Sequence, residues 1–372
     1  PMSTQAVGPD DSALSNIGSR ISTEMNLSTA YVSVQDVERR AFEILPKAIA
    51  GYYSGGAADE QTVARNRAAL NRLLIRPFTL RDVSQLDTRV HLSFNSHGKN
   101  FARTIPFPLS IAPVAFQCMA HIDGEKATVR AAGDTHTLMI CSSYSNFSLE
   151  EIAQDAPNGT GLWFQVSMCK DRKVTEDLVK RAIAAGMEAL VITPDPITVG
   201  RIRNNVRDGF VLPSHLRVPN FEPYFVDNGA DLRHDTVTLV ADSLTWADLE
   251  WVIKISTIPV ILKGVMRPED AERAIQCGVS GIIVSNLGGR SLDYAPSTLF
   301  MDGGIRSGTD IFKAIALGAE MVFIGRPIIY GLTVAGQEGV AHVLKILRVE
   351  LQNAMKVSGK LIFVRYLFTH FF

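Results

Sequence analysis

The chain has 372 residues, 46% of them hydrophobic, enough to bury a large core either as two domains or as one barrel. Lys and Arg number 37 against 38 Asp and Glu, a formal net charge of -1, which argues against a polyanionic partner such as nucleic acid. No apolar run reaches the roughly 20 residues that a membrane span requires, so the protein reads as soluble with no membrane partner.

The first thirty residues are rich in Ser, Thr, Asn and Gly and carry no sustained apolar period. They read as a disordered segment, 1–30, without the basic-then-apolar order of a secretory leader. From Val34 a helical pattern runs over 34–50, Gly55-Gly56 breaks it, and a second helix is expected over 59–73. Short apolar runs then recur at 109–114, 138–142, 162–166, 189–193, 259–263, 281–285, 299–302 and 320–324. Several are apolar throughout, as strands buried on both faces should be. Helical patterns lie between most of them, as at 171–185, 267–277 and 307–317. Eight strands alternating with helices predict an α/β fold, a TIM (β/α)8 barrel over 31–360, with a doubly wound open sheet as the alternative.

Two connections are irregular. Roughly 65 residues rich in Pro, Asn and Asp follow the fourth strand, a length that suggests a lid over the active site. Between the sixth and seventh strands, residues 286–298 are too few for a full crossover helix and contain Gly288, Gly289 and Pro296. The end, LIFVRYLFTHFF over 361–372, is an atypical apolar tail interrupted by Arg365 and lacking a Ser-Lys-Leu ending. Cys118, Cys141, Cys169 and Cys277 are widely spaced, as in an intracellular, cytoplasmic protein with reduced thiols.

The sharpest chemical signal is DGGIRSG, Asp302 to Gly308, followed by Ile324-Gly325-Arg326. Each motif closes a predicted strand. Glycines there let backbone N–H groups approach a phosphate, a helix N-terminus adds partial positive charge, and Arg306 and Arg326 offer bidentate bonds. Lys263 closes the run PVILKG at the end of the barrel where active sites lie. A lysine there would stabilise negative charge developing on a bound group. Arg290, in SNLGGRSLDY, suits a carboxylate clamp or, alternatively, a salt bridge to Asp293. Asp195 follows the fourth strand and taken alone reads as a turn or cap residue. Tyr52-Tyr53 can be packing aromatics, and His121 reads as structural. No His/Cys/Glu group has metal-ligand spacing, and neither a nucleophile elbow nor a P-loop is present.

Taken together, YYSGGAADE, LLIRPFTLRDVS, SIAPVAFQCMAHIDGE, WFQVS, KGV, SNLGGRSLDY, DGGIRSGTDIFKAIALGA and FIGRP resemble the FMN-dependent 2-hydroxy-acid oxidases and dehydrogenases, from about Val34 to Gly359. The resemblance implies an FMN cofactor. Pro113-Val114-Ala115 would pack on its ring, and Ser142, Gln165, Thr193, Lys263 and Ser285 would meet the ring and ribityl chain. Asp302, Gly303, Gly304, Ile305, Arg306, Gly325 and Arg326 would hold the ribityl phosphate. Tyr52 and Arg290 would grip the carboxylate of a small substrate. The acceptor would be O2 or another oxidant, and the family suggests a homotetramer.

The departures fall on the reaction centre. Leu287 stands where the family carries the histidine that takes the substrate proton, and Asp195 would have oriented that histidine. Ser167 stands where many members have a tyrosine, and Thr198 where many have a second arginine, although Arg201 and Arg203 are near. Three readings follow: an oxidoreductase with altered or reduced activity, in which Tyr52 or His121 would be a substitute base; a flavin-binding pseudoenzyme; and an FMN-dependent isomerase.

Overall fold

A computed structural model describes residues 26–194, 202–224, 239–295 and 302–360. The N-terminal helices are α1 (Val34–Ile44), α2 (Lys47–Ser54) and α3 (Gln61–Asn71). Sequence periodicity predicted one helix over 34–50. Instead Leu45 is extended (φ -69°, ψ 137°) and Pro46 starts a new helix, because proline disfavours helical backbone in the residue before it. One helical turn, Leu27–Ala30, capped by the Asn26 side chain, lies inside the stretch read as disordered. Residues 1–25 and the tail 361–372 lie outside the described residues.

A hairpin not expected from sequence follows: β1 (Val90–Ser96) and β2 (Lys99–Ile105), antiparallel across His97-Gly98. Both turn residues have positive φ, 51° and 74°, as a two-residue hairpin turn requires. Its apolar face, Leu92, Phe101 and Phe94, packs on Trp163 and on residues at or beside strand starts, Leu138, Ala189 and Met321. That contact closes the N-terminal end of the barrel and leaves the C-terminal end for chemistry.

The barrel strands are β3 (Leu109–Ile111), β4 (Leu138–Cys141), β5 (Gly161–Val166), β6 (Ala189–Ile192), β7 (Val260–Val265), β8 (Gly281–Val284) and β9 (Val322–Ile324). They form one parallel sheet in the order β8-β7-β6-β5-β4-β3-β9, so first and last strands are neighbours, as in a TIM barrel. The strand expected over 299–302 is reduced, among the described residues, to a single parallel bridge between Asp302 and Phe323; residues 296–301 are not described. A 3-10 turn, Leu287–Gly289, is the one helical element described between β8 and Asp302. The helices on the wall include α4 (Gly124–Asp134), α5 (Leu149–Asp155), α6 (Arg172–Ala184), α7 (Arg203–Arg207), α8 (Trp246–Ile255), α9 (Pro268–Cys277), α10 (Gly308–Ala316) and α11 (Arg326–Ser358). Helix α11 packs on α1, α4 and α10 and kinks at Ala335-Gly336.

Candidate active site

A cavity of about 720 Å³ opens at the C-terminal ends of the strands. It gathers most of the residues singled out from sequence: Tyr52, Pro113 to Ala115, Ser142, Gln165, Ser167, Thr193, Lys263, Leu287, Arg290, Asp302 to Arg306, Gly325 and Arg326. Asp195, Thr198 and Arg201 lie outside the described residues. Ser285 does not line the cavity. It sits behind the wall, accepting from Lys263 Nζ at 3.1 Å and from the Leu287 N–H at 3.0 Å.

At the inner end the chain concentrates positive charge. Arg326 donates from Nε to the Tyr53 carbonyl (2.9 Å), from Nη1 to Gly288 (3.0 Å) and from Nη2 to Gly55 (2.9 Å). Arg306 spends Nη1 on its neighbour's carbonyl at 2.8 Å, stands 3.7 Å from the Glu38 carboxylate, and buries an Nε with no hydrogen-bond partner among the described residues. Glu38 also pairs with Arg67. Burial first, then the neighbouring Arg290, brings Arg326 down to about 10, and burial also lowers Arg306. Cations destabilised in this way favour an anion beside them.

The two helix starts at this end differ in how free they are to meet such an anion. The start of α10 is already capped: Asp310 accepts from the Arg306 and Ser307 N–H groups at 3.0 Å, and Glu350 from Gly308 at 2.8 Å. By contrast, α11 begins at Gly325 with no side-chain cap, and Gly325 and Arg326 line the cavity. An uncapped helix N-terminus is an anion site. Gly303 and Gly304 complete the floor with φ of 93° and 81°, and a Cβ on Gly304 would lie 2.1 Å from the Asn66 carbonyl.

In the middle of the cavity the polar groups are fixed by one another. Lys263 Nζ is 3.0 Å from Asp302 Oδ2, both side chains buried. Gln165 donates to the Ser167 hydroxyl at 3.0 Å and accepts from the Ser143 N–H at 3.3 Å. Thr193 Oγ1 is buried with no hydrogen-bond partner among the described residues. An orphaned hydroxyl, glycine backbone at the floor and an uncompensated cationic end together fit a phosphate-bearing polar heterocycle such as FMN.

At the outer end, Arg290 Nη1 donates to the Tyr52 and Gly55 carbonyls and the guanidinium lies 4.9 Å over the Tyr52 ring. The alternative of a salt bridge to Asp293 is not realised: Asp293 accepts from the Asp59 and Thr62 N–H groups at 2.9 and 2.8 Å, capping α3 from outside. Leu287, half-buried, occupies a left-handed backbone position with φ 53°. Its turn is pinned by a reciprocal amide pair, Asn66 with Asn286 (3.0 and 2.8 Å), and by the Ala57 N–H on the Gly289 carbonyl. His121 does not line the cavity; its Nδ1 accepts from the Asp123 N–H at 3.2 Å. Burial raises Tyr52, so its phenol keeps its proton at neutral pH. Neither arrangement favours a substitute base. Sequence reading missed the aromatic lining, Phe116, Tyr144 and Phe210. Tyr144, two residues past Ser142 on the same loop, was visible in principle.

The fold and this cavity define a flavin-dependent α/β barrel. The chain belongs to the FMN-dependent dehydrogenase family, whose model matches residues 41–361, and its cofactor is FMN. It is similar to a 2-hydroxyacid oxidase of Dictyostelium discoideum, 42% identical over 351 residues, covering 90% of this chain and 88% of that one. It is also similar to glycolate oxidase 1 of Zea mays, 42% identical over 349 residues, covering 88% and 92%. Among solved structures it resembles mandelate oxidase at TM-score 0.80 and 38% identity, covering 89% of this chain and 95% of that one.

Proposed function

We propose that this chain oxidises a 2-hydroxy acid to the 2-oxo acid, at a rate reduced by the loss of its proton acceptor. The observation that carries this reading is the shared cavity: Arg290, Tyr52 and Lys263 line the space that runs back to the cationic end. FMN, when bound, supplies the two-electron acceptor. Arg290 keeps two guanidinium nitrogens for which no hydrogen bond is found among the described residues, and these suit a substrate carboxylate. Lys263, held by Asp302 and Ser285, places a positive charge in the cavity wall. At Leu287 no side-chain atom can hold a proton, and a general base contributes about 10²–10⁴ in rate.

A second reading, a flavin binder that does not turn over, is favoured by that same leucine. An anaerobic visible spectrum with a panel of 2-hydroxy acids separates the two. Flavin bands near roughly 370 and 450 nm that fade with one acid support the oxidoreductase. Bands that no acid fades support the binder, and reduction only by an added reductant followed by product rearrangement would point to an isomerase. We also propose O2 as acceptor, a homotetrameric assembly and an intracellular, cytoplasmic location, the first two supported by the oxidase relatives and the family resemblance and the last by the widely spaced cysteines.

A further inference from the structure

The outer third of the cavity is apolar on nearly every side. Tyr52 from α2, Phe116 after β3, Tyr144 after β4, Phe210 and Leu212 after α7, and Leu287 after β8 all face it. Their rings form a continuous box: Tyr52 stacks on Phe210 at 4.7 Å and 20°, and Phe116 lies 6.2 Å from Tyr52 and 6.1 Å from Tyr144. Ser167 and Asn205 interrupt the box, but neither carries a charge, and the Ser167 hydroxyl is already engaged by Gln165.

The segment that brings Phe210 and Leu212 is latched in place. Arg203 pairs with Asp59, Asn204 Nδ2 donates to Glu60 at 2.8 Å, and Lys47 lies 2.7 Å from Asp208. The Phe210 N–H donates to the Asn205 carbonyl at 2.8 Å. A wall ordered before binding costs little to organise around a ligand. Arg290, lying over the Tyr52 ring, puts the cation at the border of this box.

We propose that the box is a subsite for the substituent on C2 of the substrate, so that this chain takes 2-hydroxy carboxylates with an aliphatic tail of several carbons or an aryl group in preference to glycolate. The proposal rests on the reading that Arg290 holds the carboxylate. A substrate with no tail leaves four apolar side chains and two tyrosine rings facing water, whereas a tail removes apolar surface on both partners. Leu287 then has a positive role: where a base would present a polar edge, it extends the apolar wall.

The test needs no turnover. Anaerobic FMN-loaded protein is titrated with acetate, butanoate, hexanoate and octanoate, which carry no oxidisable hydroxyl, and binding is read from the shift of the flavin absorption. Affinity should rise about fourfold per methylene until the box is full, and Phe210→Ala should flatten the rise. A series in which acetate binds as tightly as octanoate, or a rise that survives Phe210→Ala, overturns the subsite and leaves the carboxylate clamp standing. If no carboxylate perturbs the flavin, the reading of Arg290 falls and the proposal falls with it.

Discussion

Replacing Leu287 with histidine tests whether a proton acceptor is what this reaction centre lacks. The backbone favours the change. Leu287 sits at φ 53°, a left-handed conformation that costs a branched apolar residue about 1–2 kcal/mol and that histidine adopts more readily. Against that gain stands the loss of a half-buried leucine, on the order of 1 kcal/mol. The two nearly cancel, so the melting temperature should move by no more than about 4 °C. The turn itself does not depend on the side chain, since Asn66, Ala57 and Ser285 hold it through Asn286, the Gly289 carbonyl and the residue 287 N–H.

A well-oriented base is worth about 10²–10⁴. Ser285 Oγ, which accepts from the 287 N–H, also serves Lys263, so a new imidazole would be only partly oriented. The expected gain is therefore about tenfold to a hundredfold in the rate of flavin reduction. Stopped-flow absorbance at saturating 2-hydroxy acid measures it. An unchanged rate in a variant that folds, keeps FMN and still binds carboxylate would refute the assignment of the defect to the missing proton acceptor.

Three further outcomes follow from the geometry. Arg306→Ala should weaken FMN about 10- to 100-fold, the worth of a charge-assisted bond to phosphate, and leave riboflavin affinity nearly unmoved, both read by fluorescence titration. Gly304→Ala should cost several times the stability of Gly159→Ala in urea unfolding. Both glycines have φ above 80°, so each costs about 1 kcal/mol of backbone strain, but only at Gly304 does the new methyl meet a carbonyl at 2.1 Å; at Gly159 nothing lies within 4 Å. Burial raises Glu125 from 4.5 to about 7, so the folded chain binds a proton there that the unfolded chain has lost. That contribution is complete below about pH 4.5 and is lost as pH rises through about 7, so Glu125→Gln should gain on the wild type by on the order of 3 kcal/mol across that window.

Much of the barrel was legible because parallel strands buried on both faces leave unbroken apolar runs, and β4, β5, β6 and β8 fall within two residues of those runs. The hairpin was not read, although VHLSFNS alternates Val90, Leu92 and Phe94 with polar residues before His97-Gly98; only the second strand, KNFARTI, mixes Lys99 and Arg103 with Phe101 and Ile105 on one face. The cationic end was legible as glycine-arginine motifs, but not which helix start would be left without a side-chain cap. That depended on Asp310 and Glu350 capping α10, and Glu350 is 42 residues away from the N–H it accepts. The aromatic box was illegible for a similar reason: it is assembled from five separate segments, and nothing in YYSGG or FVLPS alone points Tyr52 at Phe210.

The two ends of this cavity rest on different kinds of support. The phosphate end is built from backbone amides, glycine conformations and arginines tied to main-chain carbonyls, so changing it requires moving the barrel. Position 287, by contrast, projects from a single turn. Because α3 holds that turn from the far side, through Asn66 on Asn286, the stunted crossover after β8 does not by itself displace it. Asp302 is the sole described remnant of the seventh strand, yet it still reaches Lys263 at 3.0 Å. Placing a proton acceptor at position 287 therefore tests the proposed cause of reduced turnover without disturbing the phosphate end.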